Sequence, residues 1–136
     1  MKIELTNNIT VKDYQDIHLD AGWKMLSDDQ VEKALKNSMV VVGAEVDGVV
    51  VGMGRLVGDF AIKGLLCDII VKKEYQQKGI GKMIVNEILR KTKEMINGNL
   101  FMIEVLPTTN NRDFYIKLGF KHKPENMDGV YLWFNK

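Results

Sequence analysis

Asp68-Ile69-Ile70-Val71-Lys72-Lys73-Glu74-Tyr75-Gln76-Gln77-Lys78-Gly79-Ile80-Gly81-Lys82 is the stretch on which the reading of the fold turns. Its start closes an apolar run, Leu65 to Val71, interrupted only by Asp68. Such a run reads as a strand buried on both faces, hence central in a sheet. A short polar loop follows. The stretch then opens the strongest helix of the chain, Gly79 to Ile96, with Ile80, Met83, Ile84, Ile88, Met95 and Ile96 as one apolar face and Gly98 as a stop signal. Exposed N–H groups and the positive end of the dipole at such a helix start suit an anion such as phosphate. Gly79 and Gly81 let a ligand approach the backbone, and Lys78 and Lys82 add positive charge. The loop is not a Walker A loop, because Met83 stands where the hydroxyl belongs, and it lacks the three glycines of the dinucleotide fingerprint. On spacing alone, an anion site and an ordinary glycine-led helix both stay open.

Outward toward the N-terminus, Val49 to Val57 and Met39 to Val46 are valine-rich strands joined by Asp47-Gly48, a pair suited to a type I′ turn. Gly52 and Gly54 mark a bulge or a close approach to the backbone. Ser27 and Gln30 form a capping-box pattern before Val31, Ala34 and Leu35, which predicts a helix to about Lys36. Val11 to Leu19 reads as a helix with Tyr14, Ile17 and Leu19 apolar, and Lys2 to Leu5 as a strand before an Asn7-Asn8 turn. Toward the C-terminus, Leu100 to Leu106 is a strand ended by Pro107. Arg112 to Leu118 is a short helix closed by Gly119, and Val130 to Phe134 a last strand. With no repeat or linker, residues 1–136 read as a single α/β domain.

Composition narrows the classes. The 136 residues are 46% hydrophobic and 27% charged, with a net charge of +1, so no global field favours nucleic acid or a membrane surface as partner. The single cysteine, Cys67, reads as a small buried hydrophobe, and the two histidines give no metal-ligand spacing. The N-terminus lacks a signal-peptide core and no apolar stretch approaches the roughly 20 residues that span a bilayer. A cytoplasmic protein with no metal is the expectation.

Val71 through Gly81 resembles the acyl-CoA signature of the GNAT superfamily of N-acetyltransferases, Gln/Arg-x-x-Gly-x-Gly/Ala, with Gln76, Gly79 and Gly81 at the defining positions. Phe114-Tyr115-Ile116-Lys117-Leu118-Gly119-Phe120 is similar to that superfamily's C-terminal motif, and the preceding strand and Tyr75 fit as well. A finer resemblance, carried by Gly22-Trp23, Ala34 to Ser38, Gly52-Met53-Gly54-Arg55 and Gly58-Asp59, points to the subgroup containing plastid serotonin N-acetyltransferases. The resemblance implies a mixed central sheet flanked by helices, and transfer of acetyl from acetyl-CoA to a primary amine of a small molecule. Its alternatives are a non-catalytic acyl-CoA-binding regulatory module and an acetyltransferase of protein amines. A homodimer is a further expectation. The chain departs from the family at Thr108, where many members carry an Asn that contacts the cofactor; Asn110 and Asn111 lie close by.

The resemblance also assigns roles. Backbone groups of Ile69, Ile70 and Val71 would bind the pantetheine arm and polarise the thioester. Gln76, Gln77, Lys78, Gly79, Gly81 and Lys82 would hold the pyrophosphate. Tyr115 would be the general acid for the departing thiolate; without the resemblance it reads as a core aromatic. Asp68 is either a general base, its carboxyl raised by burial, or a residue that orients Arg55 or caps a loop. Glu104 is a second candidate base. Trp23, Met53, Arg55 and Phe60 would line the acceptor site, though Trp23 and Phe60 read equally as core or loop anchors. His18 and His122 read as solvated surface residues.

Overall fold

Thr10 and Ser27 each accept a hydrogen bond from the backbone N–H three residues on, and the Asp13 and Gln30 side chains accept one from the cap N–H in return. These capping boxes start α1 (Val11–Asp20) and α2 (Asp28–Lys36). The computed structural model describes residues 1–123 and 129–135. Its other elements are β1 (Ile3–Thr6), β2 (Val40–Val46), β3 (Val49–Gly58), β4 (Lys63–Val71), α3 (Ile80–Ile96), β5 (Phe101–Val105), α4 (Arg112–Lys117), β6 (Lys121–His122) and β7 (Val130–Phe134). Short 3-10 turns lie at Lys73–Tyr75 and Thr109–Asn111.

The strands form one mixed sheet in the order β1-β2-β3-β4-β5-β7-β6. Neighbours are antiparallel except β4 and β5, which run parallel. Asp47 and Gly48 turn β2 into β3 with φ of 51° and 79°, as a type I′ turn requires. The helices cover both faces. On one, Ile80, Ile84, Val85 and Ile88 of α3 pack with Val42, Leu56, Leu66, Phe101 and Ile103 of the sheet. On the other, Tyr14 and Ile17 of α1 and Val31 of α2 pack on Val50, Met53 and Ile70. Each fully buried Ile or Val contributes about 1.5–3 kcal/mol.

Three expectations need correction. Leu19 of α1 and Met95 of α3 are exposed; His18 and Thr92 are the buried residues beside them. Thr92 satisfies its hydroxyl on the Ile88 carbonyl at 2.7 Å, so a polar residue sits on an apolar face without penalty. The strand β4 is central, but Lys63 and Leu65 are exposed. The apolar cluster on the Leu65 side gathers around Met53 and Ile70 and stops short of Leu65. The two-residue strand β6 carries no periodicity to read, and its pairing with β7 exists only in the fold.

Two irregularities in β3 and β4 shape the site. Arg55 pairs with Cys67 and Met53 with Ile70, so Gly54 alone opposes Asp68 and Ile69: a β-bulge in β4. Asp68 there has φ of 55°, the left-handed region. A Cβ on Gly54 would lie 2.4 Å from Ile69 Cδ1 and 2.9 Å from both Ile84 Cγ2 and Ile88 Cδ1. Gly54 is therefore glycine because the bulge and α3 fill the space above it. The second irregularity is a parting of strands. β4 and β5 pair only from Lys63–Met102 to Leu66–Val105, after which β4 runs on with β3 alone. Pro107, just beyond β5, has no N–H to extend the ladder.

Candidate active site

A cleft of about 610 Å³ opens where β4 and β5 part. Ile69 and Val71 of β4, the loop from Tyr75 to Gln77, the start of α3 from Gly79 to Lys82, and Asn111, Phe114 and Tyr115 line it. Alternation along β4 explains the division of its side chains: Ile69 and Val71 face the cleft side, whereas Ile70 packs in the α1–α2 core.

The α3 N-terminus is built unlike those of α1 and α2. Its cap, Gly79, has φ of 80° and no side chain that caps, and no acidic residue stands in the first turn, which carries Lys82 instead. Both α1 and α2 have capping boxes and first-turn acids. The leading N–H groups of α3 and the positive dipole end are thus left for an anion from outside the helix. A Cβ on Gly81 would meet only Phe114, at an ordinary 3.6 Å. The protein itself does not demand glycine at 81, and the missing side chain keeps the N–H groups accessible from the cleft. The loop is tied down at both ends: Gln76 Nε2 donates to the Val71 carbonyl at 3.0 Å, and the Lys73 N–H to Asp20 Oδ2 at 2.8 Å. These features fit a CoA pyrophosphate at the helix start and a pantetheine arm along the free side of β4.

Tyr115 sits at the cleft with 6% of its surface exposed, edge-on to Phe114 and Phe120 at 5.0 and 5.7 Å. Burial pushes its phenol up to about 12. Beyond the bulge lies a second polar cluster. The Asp68 side chain, 10% exposed, accepts from Arg55 Nε at 2.5 Å through Oδ2 and faces His18 Nε2 at 3.3 Å through Oδ1. Arg55 Nη1 donates to Ser38 Oγ at 3.2 Å, and Ser38 Oγ to the Ala34 carbonyl at 2.8 Å. Burial works against the Asp68 charge, but the hydrogen bonds from His18 and Arg55 outweigh it and hold the carboxyl below its ordinary value. The expectation of a raised carboxyl is corrected: burial without partners raises a carboxylate, and here the partners are charged donors.

A family model, the Acetyltransferase (GNAT) family, matches residues 4–120. The chain belongs to that family. GCN5-related N-acetyltransferase 2, chloroplastic, of Arabidopsis thaliana is 28% identical over 94% of this chain; the chain spans 56% of that relative's length. The Staphylococcus aureus protein SA2161, described as a probable acetyltransferase, has a similar fold (TM-score 0.81, 24% identity, 96% of this chain and 98% of the other). So does the PaiA N-acetyltransferase of Thermoplasma acidophilum, solved in complex with coenzyme A (TM-score 0.67, 20% identity, 98% of each chain).

The GNAT fold gathers the residues read from the sequence unevenly. Gln76, Gln77, Gly79, Gly81 and Lys82 line the cleft with Ile69, Val71 and Tyr115; Lys78 is exposed outside it and the Ile70 side chain faces away. Trp23, 53% exposed, stands edge-on to His18 at 5.3 Å and so joins the Asp68–Arg55 cluster. Met53 is core. Phe60, at φ 61° and 61% exposed, occupies the β3–β4 turn. Five strand residues, about 17 Å, separate the start of β4 from Asp68, so Phe60 does not join that cluster. Glu104 is bound by Lys63 at 2.5 Å and by Lys123, away from the cleft. The polar side chain at the cleft near Thr108 is Asn111, since Thr108 begins the 3-10 turn and its carbonyl accepts the Asn111 N–H at 2.9 Å. The expectation that His18 is a solvated surface residue is corrected. The residue is 3% exposed, with its ring stacked on Tyr14 at 3.7 Å and Nδ1 on the Tyr14 carbonyl at 2.8 Å. Nothing in the local pattern marks it, because Tyr14 and Ile17 alone satisfy the helical period.

Proposed function

We propose that this chain transfers an acetyl group from acetyl-CoA directly to a primary amine of a small molecule. The observation that carries the reading is the uncapped, basic start of α3 facing a cleft at the parting of β4 and β5. The coenzyme A bound by the PaiA acetyltransferase, a protein of the same fold, supports it. In this reading the N–H groups at the start of α3, with Lys82 and Gln77, hold the pyrophosphate. The backbone of Ile69 to Val71, left without a β5 partner, takes the pantetheine arm and polarises the thioester carbonyl. Tyr115 donates a hydrogen bond to the sulfur as it leaves. The neutral amine attacks the carbonyl carbon, the adduct loses a proton to solvent, and the C–S bond breaks to release a thiolate that takes a proton from solvent to become coenzyme A.

Asp68 fits an orienting role better than that of a base. A carboxylate below its usual value near 3.9 lies more than about 6 pKa units from an alkylammonium near 10.4, too far to take its proton. The cluster of Trp23, Arg55 and Asp68 instead suits an ammonium group on a small apolar body as it approaches.

Free-thiol release from acetyl-CoA, measured across small amines, polyamines, amino acids and peptides, tests this. Turnover with at least one small amine well above the peptides is expected. Thiol release only with peptides replaces the acceptor class. Coenzyme A binding with no release for any amine points to a binding module.

A further inference from the structure

His18 is a buried, titratable side chain with no part in the mechanism above, and it touches the least regular piece of backbone in the sheet. Asp68 takes a left-handed φ of 55° inside β4, and the bulge leaves two residues opposite Gly54. A bulged residue has lost its ladder partner, so something other than the sheet must hold it. Both carboxylate oxygens do so. Oδ2 accepts from Arg55 of the neighbouring strand, and Oδ1 faces His18 Nε2, reaching across from α1.

The two ring nitrogens of His18 face acceptors only. Nδ1 lies 2.8 Å from the Tyr14 carbonyl, which has no proton to give, and Nε2 lies 3.3 Å from an Asp68 oxygen that Arg55 keeps ionised. With its proton on Nε2 the ring donates to Asp68; with Nε2 bare it would turn a lone pair toward the carboxylate. Tyr14 stacks on its face and Trp23 meets it edge-on, so the ring has little freedom to turn away. The same helix holds the far end of the segment, where Asp20 accepts from the Lys73 N–H. Between these two ties lie Ile69 to Val71, the residues assigned to the pantetheine and the thioester.

We propose that His18 is a positioning residue whose Nε2 donates to Asp68, locks the Asp68 bulge and thereby sets the backbone of Ile69–Val71 against the reacting carbonyl. The proposal rests on the acetyltransferase reading. It predicts a larger effect on turnover than on cofactor binding, because the pyrophosphate loop and Tyr115 do not touch His18.

The test uses His18→Phe, which keeps an aromatic ring against Tyr14 and Trp23 and removes both ring nitrogens, and His18→Gln, which restores a donor. With the best amine from the acceptor panel, His18→Phe is expected to lower kcat about tenfold or more, since small misplacements of reacting groups have large rate effects. KM for acetyl-CoA should rise by much less than kcat falls, the pattern of an interaction felt mainly in the transition state. His18→Gln should recover part of kcat. A folded His18→Phe with wild-type kcat, or a fall in kcat matched by an equal rise in KM for acetyl-CoA, overturns the proposal. Nitrogen NMR of the wild-type ring gives a readout that needs neither folding of the variants nor activity. A proton on Nε2, coupled across the hydrogen bond to Asp68, is expected. An Nε2 that carries no proton overturns it. Wild-type protein that releases no thiol with any amine sinks the acetyltransferase reading instead, and the NMR result still decides whether His18 holds the bulge.

Discussion

A phenol pushed up to about 12 lies roughly 3.5 pKa units above an ordinary thiol, so full proton transfer from Tyr115 to a departing thiolate would run about 5 kcal/mol uphill. In the proposed reaction Tyr115 therefore acts as a hydrogen-bond donor to sulfur. Tyr115→Phe should lower kcat about tenfold to a hundredfold while leaving the acetyl-CoA dissociation constant near the wild-type value, read by steady-state kinetics beside calorimetry. Asp68 yields a second prediction at the same scale. If no side chain takes the ammonium proton, kcat/KM for an alkylamine rises about tenfold per pH unit between pH 7 and 9, as the neutral fraction does. Asp68→Asn should lower the rate without moving that slope. A profile that bends near an acidic pKa and straightens in Asp68→Asn would restore Asp68 as the base.

At the scale of elements, the bulge in β4 depends on a glycine in β3 and a helix above it. Gly54→Ala places a methyl group 2.4 Å from Ile69 Cδ1 and 2.9 Å from Ile84 and Ile88, both on α3. Overpacking of this kind costs about 1–3 kcal/mol. Ile69 lines the cleft, so relief by its displacement also disturbs the site. A loss in urea denaturation together with weaker acetyl-CoA binding is expected; a variant with unchanged stability and affinity would show that the contact relaxes freely. The α2 capping box makes a control far from the cleft: Ser27→Ala should cost about 1 kcal/mol and leave acetyl-CoA affinity alone.

For the whole molecule, two linkages follow. Ligand that binds only the native state stabilises by about 2.7 kcal/mol at one hundred times Kd, which for a chain of this size is a Tm rise on the order of 10 °C. Saturating acetyl-CoA without a rise would count against the cleft as its site. The second linkage is acid stability. Folding lowers the Asp68 carboxyl, so the unfolded chain binds its proton more tightly. The stabilisation is fully present above the unfolded value near 3.9 and is lost as pH falls through the depressed folded value. Wild type should therefore lose stability below about pH 4 more steeply than Asp68→Asn, in denaturant titrations at pH 7, 4 and 3.

Sequence alone determined what is local. The capping box at Ser27, the Asp47-Gly48 turn, the β4–loop–α3 run and the two family motifs were legible because hydrogen bonds and periodicity within a few residues specify them. The anion-ready start of α3 belongs here too, since the absence of a cap and of first-turn acids can be read along the chain. Tertiary structure decided what depends on partners from distant segments. Asp68 is held low rather than raised because Arg55 comes to it from β3 and His18, fifty residues away in the chain, from α1. His18 is buried because the Asp68 bulge lies beneath α1, a contact invisible in a helix whose period Tyr14 and Ile17 already satisfy. Gly54 is small because Ile69 and α3 meet above it, and Phe60 stands apart because β4 carries its turn away from the bulge. The chain wrote its elements and the anion-ready loop into local chemistry; the Asp68 charge state and the shape of the backbone at the cleft arise only when the two faces of the sheet are covered.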